Sequence, residues 1–224
     1  MKRISLIVPC LNEEEAIPAF KQEIDRVFKE CLEGYAPELI FVDDGSTDRS
    51  LEMIKKMAEH SPEVKFISFS RNFGKEAAIY AGLEAATGDY AAVMDVDLQD
   101  PPSLLPDMLK AIEKEGYDCA GTRRVTRQGE PLLRSFFARA FYKTIHQISD
   151  TRIVDGARDY KLMTRPVLEA LLSLKEYNRF SKGLYEWVGF RTKWFEYENV
   201  ERVAGETKWS FFKLFLYSIE GIVA

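Results

Sequence analysis

The sequence predicts a doubly wound α/β domain, a parallel sheet covered by helices on both faces. Three observations carry that expectation. Short, near-continuous apolar runs alternate with longer segments whose apolar residues recur every three or four positions. Acids and glycines close the second and fourth of these runs or follow them directly. A hydrophobic content of 46% over 224 residues is ample for one large core.

The elements follow in order. ISLIVPC (4–10) reads as a buried strand and EEEAIPAFKQEIDRVFKEC (13–31) as an amphipathic helix. ELIFVDDGS (38–46) is a second strand, TDRSLEMIKKMAEH (47–60) a helix, VKFISFS (64–70) a strand, KEAAIYAGLEAAT (75–87) a helix and YAAVMDVD (90–97) a fourth strand. Together they place the core over roughly the first 120 residues. Ligands of such sheets bind outside the carboxyl ends of the strands. Asp43 and Asp44 after the second strand, and Asp95, Asp97, Gln99 and Asp100 after the fourth, are therefore expected to share one crevice.

Composition narrows the function classes. A net charge of -5 gives no basic field of the kind general nucleic-acid binding uses, so no nucleic-acid partner is expected. Cys10, Cys31 and Cys119 are odd in number and widely spaced, with only His60 and His146 to assist them. That argues against a disulfide framework and a zinc site and fits a reducing compartment. The apolar run at the N-terminus is too short for a signal peptide, which leads to the expectation of a cytoplasmic body.

The stretch VMDVDLQDPP (93–102) sets a D-x-D-x-Q cluster after a strand. Carboxylate and amide oxygens are hard ligands suited to Mg²⁺ or Mn²⁺, and Mg²⁺ typically binds through one or two carboxylates plus substrate phosphates. The cluster therefore suits a nucleotide diphosphate held through a divalent ion. Asp100 before Pro101 reads as a turn former, and Asp48 with Ser46 and Thr47 as a helix cap. Asp95 and Asp97 read as functional, because acids crowded on a sheet edge repel one another unless a cation arrives. RNFGKEAAIYAG (71–82) is neither a Walker loop nor a G-x-G-x-x-G fingerprint. Lys75 at a helix start can attract phosphate, though taken alone it reads as a solvated lysine.

VPCLNEEEAIP (8–18), FVDDGSTDRS (41–50), RNFGKEAAIYAGL (71–83), ATGDYAAVMDVDLQDPP (86–102), NRFSKGLYEWVGF (178–190) and ERVAGETKWSFFKL (201–214) resemble successive blocks of family 2 glycosyltransferases. Within that family the chain is similar to the polyisoprenyl-phosphate glycosyltransferases of the bactoprenol glucosyltransferase type, and more distantly to dolichol-phosphate mannose synthases. The resemblance implies a GT-A fold, with a Rossmann-like nucleotide-sugar half (1–120) and an acceptor half (121–224), and Mg²⁺ or Mn²⁺ as cofactor. It implies that Pro9, Leu11 and Glu13 line the nucleotide pocket, that Asp43 or Asp44 meets the base, and that Lys75 lies near the base or ribose. Asp95 and its neighbour Val96 would contact the nucleotide, Asp97 and Gln99, with Asp95, would hold the metal, and Arg123 and Lys208 would bind phosphates.

VDGARDYKLMTRP (154–166) resembles the block that carries the family's catalytic aspartate, which falls on Asp159, with Asp155 as the alternative. Arg158 stands where relatives often have glycine, and Lys161 where they often have arginine. As a purely structural residue, Asp159 would be an ion-pair partner of Arg158 or Lys161. The acceptor half adds its own pattern, since residues 121–148 carry six cations against Glu130 alone. Two amphipathic stretches, about 131–148 and 209–224, are expected to lie at the membrane surface. No run reaches the roughly 18 apolar residues of a membrane span, and the resemblance leads us to expect a transmembrane anchor beyond Ala224.

The expected activity is inverting transfer of glucose from UDP-glucose to a polyprenyl phosphate at the cytoplasmic membrane face, by a homo-oligomer. The alternatives are another donor such as GDP-mannose or a UDP-linked modified pentose, a soluble saccharide-directed transferase, and a non-catalytic nucleotide-sugar sensor.

Overall fold

β1 (Lys2–Cys10) is an interior strand because its side chains are apolar on both faces: Ile4, Leu6, Val8 and Cys10 enter one core, and Ile7 the other. The computed structural model describes residues 1–124, 154, 156–176 and 178–198. β1 pairs in parallel with β2 (Tyr35–Asp43) on one side and β4 (Tyr90–Val93) on the other, and β2 pairs in parallel with β3 (Val64–Ser68). The chain thus winds outward from β1 to β3 and then returns to place β4 on the opposite side of β1. That reversal opens a crevice at the carboxyl ends of β1 and β4.

β5 (Cys119–Arg124), β6 (Ala157–Thr164) and β7 (Thr192–Tyr197) complete one seven-stranded sheet of order β3-β2-β1-β4-β6-β5-β7. β6 lies between β4 and β5 and runs antiparallel to both, while β7 is parallel to β5. The sheet is therefore mixed in this part, and both halves expected from the sequence contribute strands to it. Along β6 the faces alternate: Tyr160 and Leu162 enter the first core and Met163 the second.

Helices cover both faces, as expected. α1 (Ile17–Cys31), α2 (Ser50–His60) and α4 (Leu105–Glu115) pack into the first core, and α3 (Lys75–Ala85), α5 (Arg165–Ser173) and α6 (Ser181–Trp187) into the second. α1 buries Ile17, Phe20, Ile24, Val27 and Phe28 on one stripe. At about 1.5–3 kcal/mol for each fully buried large apolar side chain, that stripe docks a helix that has no side-chain cap.

Several element ends differ from the sequence expectation, each for a local reason. α1 starts at Ile17 rather than residue 13, because the Glu13 carbonyl accepts the N–H groups of Ala16 and Ile17 in a turn. α2 starts at Ser50, whose N–H is taken by Asp48. β2 and β4 end at Asp43 and Val93, where the chain leaves the ladder for the acidic loops. No described helix is long and apolar enough to cross a membrane. The stretches 131–148 and 209–224, Lys208 and the alternative Asp155 lie outside the described residues.

Candidate active site

The loops after β1 and β2 are stitched together by side chains. Asn12, a non-glycine residue with φ 52°, accepts the N–H groups of Thr47 (2.7 Å) and Asp48 (3.4 Å) on its Oδ1. Ser46 Oγ accepts the Asn12 N–H at 2.9 Å, and Ser50 Oγ the Glu13 N–H at 2.7 Å. Asp48 precedes Arg49, the N-cap of α2; it accepts the Ser50 N–H at 2.9 Å in the turn that leads into the helix, and the Glu14 N–H at 3.2 Å. This network fixes half-buried Pro9, Leu11 and Glu13 along the carboxyl end of β1.

Asp43 and Asp44 are both buried. Asp43 accepts the Ser46 N–H at 3.3 Å and the Ser68 hydroxyl at 3.4 Å. Asp44 accepts the Phe73 N–H at 2.7 Å and the Gly74 N–H at 3.0 Å, which ties the loop after β3 to the end of β2. Burial raises the Asp44 carboxyl and these two N–H groups oppose the rise. Between them Gly45 has φ +75°, and a Cβ there would stand 2.6 Å from the Arg71 carbonyl carbon. Only glycine allows that approach.

The antiparallel course of β6 completes the site. Val93 pairs with Lys161, so Asp159, two residues earlier on β6, projects past the end of β4 toward Asp95. The ammonium of Lys75, first residue of α3, joins the two: its Nζ lies 2.6 Å from Asp95 Oδ1 and 2.5 Å from Asp159 Oδ2. Lys182 Nζ stands 3.8 Å from Asp159 Oδ1, and Arg158 Nη2 3.9 Å from Asp95 Oδ2. Burial pushes the Asp159 carboxyl up, but Lys75 foremost, then Lys182 and Arg158, outweigh it and hold it well below the usual carboxylate range. Burial likewise opposes the Lys75 charge, and Asp159 and Asp95 hold its ammonium firmly protonated.

Three readings of the sequence change here. The ion-pair partners of Asp159 are Lys75 and Lys182, not Arg158 or Lys161. Lys161 is buried on β6, 3.2 Å from Glu186 and against the rings of Tyr185 and Trp194. Asp100 is more than a turn former: it is buried, its Oδ1 accepts Arg158 Nε at 3.0 Å and the Tyr197 hydroxyl, and it anchors the acidic loop to β6 and β7. Lys75, which alone reads as solvated, is the residue on which the two carboxylates converge. Lys182, in the quoted stretch 178–190, and Tyr197 carry no spacing signal that singles them out.

The other expected residues are placed as follows. Asp97 is buried and its Oδ1 accepts the Gln99 N–H at 3.1 Å across Leu98, whose φ is 57°. Val96 is buried in the first core beneath this loop. Arg123 pairs with Glu196 of β7, and its Nε is buried without a hydrogen-bond partner.

Among the described residues, no group of three or more His, Cys, Asp or Glu side chains is arranged to hold a metal. The donor set at Asp95, Asp97 and Gln99 fits the other mode, in which one or two carboxylates share an ion with substrate phosphates.

Comparison with known proteins agrees with this architecture. Residues 5–172 match the family model described as "Glycosyl transferase family 2". The chain is 44% identical over 221 residues to the putative glycosyltransferase CsbB of Bacillus subtilis (strain 168), covering 99% of this chain and 66% of that protein. It is 41% identical over 222 residues to the bactoprenol glucosyl transferase of Shigella phage SfV, covering 99% and 71% respectively. The chain thus spans about two thirds of the length of these curated relatives. Among solved structures, glucosyl-3-phosphoglycerate synthase from Mycobacterium tuberculosis, in complex with Mn²⁺ and UDP-glucose, superposes with a TM-score of 0.61. It is 20% identical and covers 99% of this chain and 77% of that one. At that identity the likeness establishes the fold, the GT-A architecture expected from the sequence.

Proposed function

This chain belongs to glycosyl transferase family 2, and on that premise we propose that it transfers glucose from UDP-glucose to a polyprenyl phosphate at the cytoplasmic membrane face, with inversion. The observation that carries the reading is that Lys75 joins Asp95, the first residue of the D-x-D-x-Q loop, to Asp159 of β6 at the carboxyl end of β4. The name of the 41% identical phage relative, a bactoprenol glucosyl transferase, supplies the choice of glucose and of a bactoprenol acceptor.

In this reading Asp95, Asp97 and Gln99 hold Mg²⁺ or Mn²⁺ together with the donor diphosphate. When bound, such an ion supplies Lewis-acid stabilisation of the departing diphosphate. Pro9, Leu11 and Glu13 wall the nucleotide, with Asp43 and Asp44 fixing the loops on which the base rests. Arg123 and Lys208 serve the phosphates.

Asp159 acts as a carboxylate throughout. A phosphate monoester is largely ionised at neutral pH, with a second pKa of about 6, so the acceptor needs little deprotonation. Asp159 instead orients the acceptor and faces the positive charge that grows on the sugar ring. Because Lys75 clasps it, Asp159 is held as an ion partner and is not presented as a covalent nucleophile, which favours direct displacement and inversion. Lys182, on the far side of Asp159, supplies a cation that the acceptor phosphate can share.

The experiment is calorimetric binding of UDP-glucose and GDP-mannose, each with and without Mn²⁺, to this chain and to Asp97→Ala. Metal-dependent binding of UDP-glucose that vanishes in the variant is the expected result. Binding of GDP-mannose alone overturns the choice of donor, and metal-independent binding overturns the metal assignment. UDP-glucose binding without transfer to a polyprenyl phosphate in detergent favours a sensor.

A further inference from the structure

Among the described residues, Lys75 alone ion-pairs with both Asp95 and Asp159. Its position is set by the backbone and not by chance contact. Asp44 ties down the N–H groups of Phe73 and Gly74 immediately before it, and Gly74 turns the chain at φ +99° so that Lys75 opens α3 facing the crevice. The side chain is only partly exposed, and both its carboxylate partners are less exposed than it is. One ammonium is thus shared between a carboxylate on the donor side and one on the acceptor side.

A divalent ion at Asp95 would add a further cation to a carboxylate that Lys75 holds at 2.6 Å and Arg158 Nη2 approaches at 3.9 Å. Two cations on one carboxylate repel at this range, so the ion drives the ammonium off Asp95, and Asp159 is the partner within reach to receive it. The converse must hold, because coupling between binding events is reciprocal. A carboxylate at position 159 that draws Lys75 away makes Asp95 a better ligand.

From this geometry, and resting on the metal-assisted reading above, we infer that Lys75 is a relay: loading of a divalent ion on the donor carboxylates shifts it from its shared position to Asp159 alone. Donor-site loading and the charge balance at the acceptor carboxylate are thereby coupled. Lys75 is a positioning residue that acts through Asp95 and Asp159.

The test is the Mn²⁺ dissociation constant in saturating UDP, read by electron paramagnetic resonance of free Mn²⁺, without any turnover. Wild type, Lys75→Gln, Asp159→Asn, the double variant and Lys75→Arg are compared, with thermal midpoints checking the fold of each. Lys75→Gln is expected to bind Mn²⁺ about tenfold tighter and Asp159→Asn about tenfold more weakly, within the usual range of coupling between sites. In the Lys75→Gln background the Asp159→Asn effect is expected to shrink below about threefold, as a cycle isolating an indirect interaction requires. An equal Asp159→Asn effect in both backgrounds overturns the relay, since Asp159 would then act by distant charge alone. Weaker Mn²⁺ binding by Lys75→Gln overturns it too.

Should the neutral variants unfold, Lys75→Arg carries the test. Its forked guanidinium holds Asp95 more firmly, so it is expected to weaken Mn²⁺ binding, and an unchanged constant overturns the relay. Absence of Mn²⁺-dependent UDP binding in wild type overturns the metal-assisted reading on which the relay rests, so the two failures are distinguishable.

Discussion

Replacing Arg158 by methionine is the sharpest test of how the acidic loop is held. Asp100 is 1% exposed. Its oxygens accept Arg158 Nε at 3.0 Å, Arg158 Nη2 at 3.5 Å and the Tyr197 hydroxyl. Burial disfavours the Arg158 charge, yet Asp100 and then Asp95 hold it firmly on the guanidinium. Among the described residues, removing the guanidinium leaves a buried carboxylate with the Tyr197 hydroxyl as its remaining side-chain hydrogen-bond donor. Breaking a buried ion pair by deleting one member costs about 3–5 kcal/mol. The Arg158 side chain is 24% exposed, so the lower end of that range, about 3 kcal/mol, is the expected loss. For a protein of this size that corresponds to a midpoint lowered by about 6–12 °C. Urea denaturation followed by circular dichroism measures it, and the slope of the transition should stay unchanged. Replacing both members, as Asp100→Leu with Arg158→Met, should recover part of the loss, because no uncompensated charge remains. If Arg158→Met lies within about 0.5 kcal/mol of wild type, a range typical of surface substitutions, the buried-anchor account is wrong.

Further outcomes follow from other sites. Glu38 is buried and accepts Lys65, Ser5 and Thr87; burial raises its carboxyl, but these bonds bring it to about 2, against an ordinary 4.5. A depressed acid stabilises the fold above its unfolded pKa and loses that contribution as pH falls from about 5 toward 2. Wild type should lose about 3 kcal/mol relative to Glu38→Gln across that window, and parallel pH profiles of unfolding free energy would contradict this. Gly45→Ala, at φ +75° and 2.6 Å from the Arg71 backbone, should cost at least about 1–3 kcal/mol and weaken nucleotide binding, seen by denaturation and calorimetry. At saturating Mn²⁺ and UDP-glucose, Asp159→Asn should cut transfer by about 10²–10³-fold, as single-turnover assays with a polyprenyl phosphate would register. Retention of full turnover would remove Asp159 from the reaction.

The alternation of strands and helices through residue 97 was legible because interior strands covered on both faces must be apolar throughout, as β1 and β2 are. Asp95, Asp97 and Gln99 could be placed on a sheet edge for the same reason: an acidic cluster that ends an apolar run has nowhere else to go. β6 was not legible as an interior strand. Its sequence, ARDYKLMT, carries three charges in eight residues, and its place depends on partners distant in sequence. Asp159 was found by resemblance, whereas its closeness to Asp95 follows from the antiparallel register of β6 with β4, which no local pattern encodes. Taken without the resemblance, Lys75 reads as a solvated lysine, and Asp100 reads as a turn former, because their partners sit 84 and 58 positions away. One of Asp43 and Asp44 was expected to meet the base, whereas both carboxylates hold loops together, a use that residue type alone does not reveal.

The insertion of β6 between β4 and β5 also bears on the order in which the chain can assemble. Until Ala157–Thr164 arrive, β4 has an open flank of unpaired N–H and C=O groups, and β5 has no neighbour through which to join the sheet. An emerging polypeptide that has reached residue 124 already carries the complete D-x-D-x-Q sequence, yet its central strand is a bare margin of the kind that recruits other strands. The candidate site, which includes Asp159 of β6, therefore cannot be complete until that strand has joined the sheet. Shortened versions ending before residue 157 are expected to self-associate, even though they keep Asp95, Asp97 and Gln99.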